Sequence, residues 1–543
     1  MAVNPMVTGC NFLRGYAEGA SWEMASREDA SSVGFYRMIY EDFEGINTDT
    51  MQRSAVAWKL LGAALVVTHH VEPRTEAGFH ALVGERYGLW IPATVGNTPD
   101  GLKQPVFQRP MGLISAQVSR DIPTVSVEVV NTGCSACHSS LLYGPDGELT
   151  DTAWIGLPSS HFNPERLAAD AYAAFRWAVD HEADALSAVE AVFPDVSPDE
   201  LQTLRRFVIP ALRKRLDELD GSLGRFTPYS NGGAGLTNGV GTIQLYLGWL
   251  PETERSDDQH GYAAIPSLGG LEFKRAVLYD GVYAPPGEAH FGAVDDPRSA
   301  AHRDQMAGMI TLVTVGTLGV DPHIAVDQNR PPIRDVIDFL FDAYTPPPFP
   351  GVIDDALADE GARIFAKRCQ TCHGEYAPDD DGRWQMVGFP NKGIPLEKVG
   401  TDPWRASAVT ASVVDRFKQT PLGEVIDPMQ TGRYVAPPLT GLWATAPYFH
   451  NNSVPTVYHV LTPAERPARF EVGGHKLDYT LLGIAGQLDA EGVWRMPSGY
   501  QPRMLPEVYD TTAAGRSNAG HDAFTASIDP SGRAALLEFL KRL

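Results

Sequence analysis

The chain is 543 residues long and 43% hydrophobic. That length suggests two to four domains at about 150 residues each, and the apolar content rules out a disordered tail. Sixty-seven acidic against 44 basic residues leave a net charge of −23, which argues against a nucleic-acid partner and would favour a basic redox partner protein.

No apolar run approaches the ~20 residues that cross a bilayer. The best, Leu60 to Val67, has eight. Fifty-two glycines and 42 prolines point to long irregular connections.

The first 110 residues carry no chemical motif and read as an N-terminal extension or cap. The opening stretch MAVNPMVTGCNFLRGYAEGA has neither a basic n-region nor an apolar h-region. Val7-Thr8-Gly9-Cys10 is similar to a bacterial lipoprotein cleavage box, which would put lipid on Cys10; a free, buried thiol is the alternative. From Thr124 to Val130, TVSVEVV alternates as a strand does and leads into CSACH at 134–138. Helical patterns follow at 164–183 and 198–218. The Gly-rich run NGGAGLTNGVG at 231–241 lacks the phosphate-cradle patterns and reads as a loop.

IRDVIDFLFDAYTPPPFPG at 333–351 is a helix running into a proline-rich connector, and a domain boundary belongs there. An amphipathic helix comes next, with Leu357, Ala358, Ala362, Ile364 and Phe365 on its apolar face. It ends at CQTCH, residues 369–373. In the closing DPSGRAALLEFLKRL, Asp529 can cap, Pro530 suits the first turn, and Leu536, Leu537 and Leu540 form a stripe.

Four of the five cysteines therefore stand in two pairs of equal spacing, Cys134/Cys137 and Cys369/Cys372, each followed by histidine. Two thiols so spaced can form thioethers to the vinyl groups of a haem, and the next histidine then reaches the iron. A zinc site would need another Cys or His pair close by. A redox CxxC needs no trailing histidine. Two covalently bound haem c groups are expected, with His138 and His373 as proximal iron ligands. In bacteria such attachment implies a periplasmic or secreted protein, so either the numbering starts after a removed signal or the true start lies upstream. The expected fold is mainly α with extensive irregular loops: an extension at 1–110 and two cytochrome c-like haem domains at 111–345 and 352–543.

These features resemble the bacterial di-haem cytochrome c peroxidase superfamily, which includes a methylamine-dehydrogenase maturation enzyme and the di-haem rubber oxygenases. The resemblance covers about 124 to 543. It rests on the two CxxCH motifs, VLYDG at 277–281, the proline-rich connector, APPLTGLWATAPYFHNNSVPTVYHVL at 436–461 and GRSNAGHDAF at 515–524. The last two look most like the rubber-oxygenase branch.

The resemblance implies that the first haem meets dioxygen or peroxide and that the second relays electrons. It implies His521 as the second axial ligand of the second haem, with Met429, Met496 and Met504 as the methionine alternatives. His450 would lie near that haem. Tyr279 takes the place of a tryptophan between the haems; it either relays electrons, which would require a proton acceptor, or simply packs. On the distal side of the first haem, Glu288 and His290 are candidates for the peroxidase carboxylate region. Phe291 is the candidate for a rubber-oxygenase phenylalanine. Some relatives hold calcium between domains, and that remains open here. The implied functions are oxygenase cleavage of an apolar alkene, peroxidase or maturation oxidase activity, or pure electron transfer.

Overall fold

The computed structural model describes residues 30–40, 55–223, 232–239, 261–318 and 322–543. Cys10 and the ends of the Gly-rich run lie outside them.

Helix Asp355–Arg368 begins at Asp354, whose carboxylate accepts the Leu357 amide at 3.1 Å. Helix Pro530–Leu540 begins in the same way: Asp529 accepts the Gly532 amide at 2.7 Å, with Pro530 in the first turn. The two helices cross at Gly361, where a Cβ would run into the carbonyl oxygen of Ala535. Phe365 and Phe539 complete the contact with ring centroids 5.3 Å apart. The crossing lies directly before Cys369, so it fixes where the second motif starts.

A matching crossing stands earlier in the chain. Helix Ala30–Tyr40 lies on helix Arg330–Asp342, with Gly34 against the Asp335 carbonyl and Phe35 against Phe339 at 5.4 Å. In both crossings a glycine lets two backbones approach more closely than any side chain would permit.

The first motif is held by strands instead. Leu113–Arg120 pairs antiparallel with Val125–Thr132, and Val56–Ala57 adds to the free edge of the latter. Val125, Val127 and Val129 point inward, as their alternation dictates. Thr132 leads through Gly133 into the single turn Cys134–Cys137. Beyond His138, Ser139–Tyr143 pairs antiparallel with Leu149–Ile155.

The expectation of a mainly helical fold is corrected here. The described residues hold twenty strands in eight small sheets, and they are 41% helical and 17% strand. Many of these strands are only two to four residues long. Such short runs complete no periodic pattern, so helical spacing dominated the sequence signal.

One contiguous apolar core runs through the described residues, with a satellite of Met386, Phe389 and Val435. No described helix is long and apolar enough to cross a membrane.

Gly361→Val forces the second helix pair apart. It should destabilise the chain by about 1–3 kcal/mol, the usual range for overpacking. A thermal unfolding midpoint equal to that of the unsubstituted chain would contradict the tight crossing.

Candidate functional site

A largely apolar cavity lies beside the second helix crossing. Phe365 and Leu540 come from the crossed helices, Cys369, Cys372 and His373 from the motif, and His521 from the loop before the last helix. The His373 Nδ1 lies 3.0 Å from the Pro437 carbonyl oxygen. A carbonyl can only accept, so Nδ1 carries the proton, and the unprotonated Nε2 is left to bind metal. Burial lowers the pKa of this imidazole, which keeps it neutral.

His521 faces His373, with ring centroids 6.2 Å apart. Two imidazoles bound to opposite sides of one iron would have centroids roughly 6.3 Å apart, from metal–nitrogen bonds of about 2 Å and a ring radius of about 1.2 Å. The His521 backbone is left-handed, φ 69°, a conformation costing a non-glycine residue ~1–3 kcal/mol unless its surroundings impose it. They do: its amide donates to the Val399 carbonyl at 2.8 Å, and Arg466 donates to the carbonyls of Asn518 and Gly520 at 2.7 and 3.0 Å. The His521 Nδ1 is buried without a hydrogen-bond partner. The two thiols, the aimed imidazole and the opposed histidine all fit a haem. No methionine lines the cavity. Met429 is substantially exposed, and Met504 is buried against Gly474.

The wall of this cavity has a structural twin. His138 Nδ1 lies 3.1 Å from the Pro266 carbonyl oxygen, as His373 Nδ1 lies near that of Pro437. Left-handed Gly270 opens the 3-10 turn Leu271–Phe273, and left-handed Gly441 opens the turn Leu442–Ala444. Val277 bridges to Tyr283, and Tyr448 bridges to Val454. Leu278 and Phe449 have φ of 68° and 72°. The spacing is a constant 171 residues (266 to 437, 278 to 449), so one backbone unit serves both motifs. Pro266-Ser267-Leu268-Gly269-Gly270-Leu271 and Pro437-Pro438-Leu439-Thr440-Gly441-Leu442 share a P-x-L-x-G-L pattern. That pattern was the sequence signal of the duplication, and the motif reading missed it.

Tyr279 and His450 occupy equivalent places in the twin units, and both line the cavity. The same cavity reaches Ile265 and Ser267, which flank the carbonyl that holds His138. His450 Nε2 lies 3.1 Å from the Tyr434 hydroxyl, which donates to the Asp402 carbonyl at 2.9 Å. Burial, helped by Arg405, pushes the His450 pKa down to about 3. Burial raises the Tyr279 pKa, and no described residue takes a hydrogen bond from its hydroxyl.

The distal candidates lie elsewhere. Glu288 is exposed and paired with Arg275 at 3.1 Å. His290 is buried, its Nδ1 2.8 Å from the Gly281 carbonyl oxygen. Phe291 packs against Gly281 and Gly393 in the satellite cluster. None of the three lines the cavity. No group of three or more His, Cys, Asp or Glu side chains among the described residues is placed to hold a metal ion such as calcium.

Buried neutral histidines set the acid limit of the fold. Burial is the main cause that lowers His161 and His450 to about 3 and His459 to about 4. The unfolded chain binds a proton at each below pH ~6.5, whereas the folded chain does not, so their contribution is complete above that pH and lost as pH falls. The loss is up to about 1.4 kcal/mol per pH unit for each histidine. Unfolding midpoints measured from pH 7 to pH 5 should fall steadily. A flat profile would contradict neutral burial.

Comparison with known proteins agrees with the cavity wall. Residues 432–471 match the family model described as RoxA-like, cytochrome c-like. That stretch holds Tyr434, Pro437, His450 and the second copy of the duplicated unit, so the chain carries a cytochrome c-like segment of the haem-binding, redox kind. The chain is also similar to two Sinorhizobium fredii (strain NBRC 101917 / NGR234) proteins. It is 29% identical to uncharacterized protein y4iJ over 289 residues, 42% of this chain and 46% of the relative. It is 30% identical to uncharacterized protein y4iM over 215 residues, 34% of this chain and 45% of the relative. The chain thus spans less than half the length of each of these relatives.

Proposed function

We propose that the chain is an extracytoplasmic di-haem c-type redox enzyme. Cys134 and Cys137 tether one haem with His138 on its iron; Cys369 and Cys372 tether the other, held between His373 and His521. The observation that carries this reading is the pair of equivalent histidine–proline contacts, each directly after a Cys pair and each leaving Nε2 free for metal.

Bound haem supplies reversible one-electron chemistry and, at an open iron position, binding of dioxygen or peroxide. The residues divide the work. His521 opposes His373, so the two imidazoles together would hold the second haem's iron, which suits electron relay. Among the described residues, no second imidazole stands across from His138 in the same way, which suits substrate binding. Tyr279 and His450 pack along the cavity wall between the two sites. The exposed, Arg275-paired Glu288 is poorly placed to move a proton between peroxide oxygens. That counts against Glu288 as a peroxidase carboxylate, and oxygenase cleavage of an apolar alkene is the reading we prefer over a peroxidase.

His521→Ala tests the assignment. Electron paramagnetic resonance of the ferric protein should lose its low-spin bis-histidine signal and gain a high-spin one. A low-spin signal equal to that of the unsubstituted chain would overturn the role of His521.

A further inference from the structure

Behind the cavity wall lies a buried chain of polar rings that none of the roles above uses. The Tyr143 hydroxyl lies 3.0 Å from His161 Nε2 and 3.0 Å from His475 Nε2. Tyr143 is 3% exposed, and both histidines are fully buried. The proton positions follow by elimination. The Gly474 amide donates to His161 Nδ1 at 3.1 Å, so neutral His161 carries its proton on Nε2 and donates to the Tyr143 oxygen. Tyr143 must then turn its own O–H toward His475, whose Nε2 accepts. Burial keeps both imidazoles neutral. Tyr143 thus receives a hydrogen bond from His161, has the Ser160 hydroxyl as a further polar neighbour, and gives its own proton to a base.

Its position is specific. Tyr143 ends the strand that starts immediately after His138. Ser160 lies within hydrogen-bond reach of Tyr143 and lines the cavity. Tyr279 lines the cavity too, but no described residue accepts its proton.

We propose that Tyr143 is a redox-active tyrosine, with His475 as the built-in acceptor of its proton. This rests on the proposed haem at His138 for its natural oxidant, a haem iron oxidised by hydrogen peroxide or by activated dioxygen. Tyr143 gives one electron to that iron, which is reduced by one equivalent. As the phenol loses the electron, its O–H bond breaks and the proton crosses the existing hydrogen bond to His475 Nε2. The products are a neutral tyrosyl radical and an imidazolium, and one returning electron with back-transfer of the proton restores both. A phenol cation radical is a strong acid, so even an imidazole with a depressed pKa accepts this proton. The imidazolium is itself disfavoured by burial, so the proton returns to the phenol oxygen once the radical is reduced.

The test is freeze-quenched electron paramagnetic resonance on the full-length haem-loaded protein grown with ring-deuterated or ordinary tyrosine. Hydrogen peroxide is one oxidant; ruthenium tris-bipyridine with persulfate under light is a second that needs no haem chemistry. A tyrosyl signal is expected that narrows on ring deuteration and shows an exchangeable proton coupling. It should be lost in Tyr143→Phe and altered in His475→Gln. Spin-trapping followed by peptide mapping of the unsubstituted protein should place the adduct on Tyr143, which keeps the test intact if a variant misfolds. A Soret response to peroxide with no Tyr143 adduct or Tyr143-dependent signal under either oxidant would overturn the inference and leave the haem reading standing. An unresponsive Soret band with a Tyr143 radical under light would do the reverse.

Discussion

The hydrogen bond from a histidine Nδ1 to a proline carbonyl, made once after each Cys pair, is the contact on which the site depends. It sets the imidazole tautomer and turns the basic nitrogen toward the place where a tethered porphyrin would sit. Each proline belongs to a stiff unit of one 3-10 turn, three left-handed residues (Gly270, Leu278 and Gly281; Gly441, Phe449 and Asn452) and a one-pair bridge. The hydrogen bonds that shape the unit itself, such as Leu271 to Leu268 and Val277 to Tyr283 with their counterparts Leu442 to Leu439 and Tyr448 to Val454, are local, so it could be used twice with different neighbours. A strand leads into one copy of the motif and a helix into the other, yet the two histidines meet their prolines at nearly the same distance.

The helix crossings act at the next level. Gly34 and Gly361 let two helix pairs approach backbone to backbone, and a phenylalanine pair seals each contact. Around these rigid points the long Gly- and Pro-rich connections form small sheets that cover the cavity. Burial then makes the imidazoles neutral, which is the state required to bind a metal or to accept a proton. The same burial makes the fold acid-sensitive, so site chemistry and stability have one physical origin.

The parts of this arrangement that were legible in the sequence are local. The Cys pairs, their trailing histidines, the capped helix Pro530–Leu540 and the helix entering Cys369 each show within about twenty residues. His521 could be placed through its loop sequence, and the structure sets it opposite His373. Glu288 and Phe291 sit in a loop with no periodic signal, and neither lines the cavity beside His373. The Tyr143–His475 contact joins residues 332 positions apart, and no spacing rule reaches that far. Short strands escaped for a related reason: their partners, not their own pattern, make them strands.

The central claim is that both Cys pairs carry iron porphyrin with the adjoining imidazole on the metal. Intact mass spectrometry of the mature exported chain, with its Soret spectrum, tests this most directly. Two covalently added porphyrins per chain and a strong Soret band are predicted. An unmodified polypeptide mass with no Soret absorbance would contradict the claim.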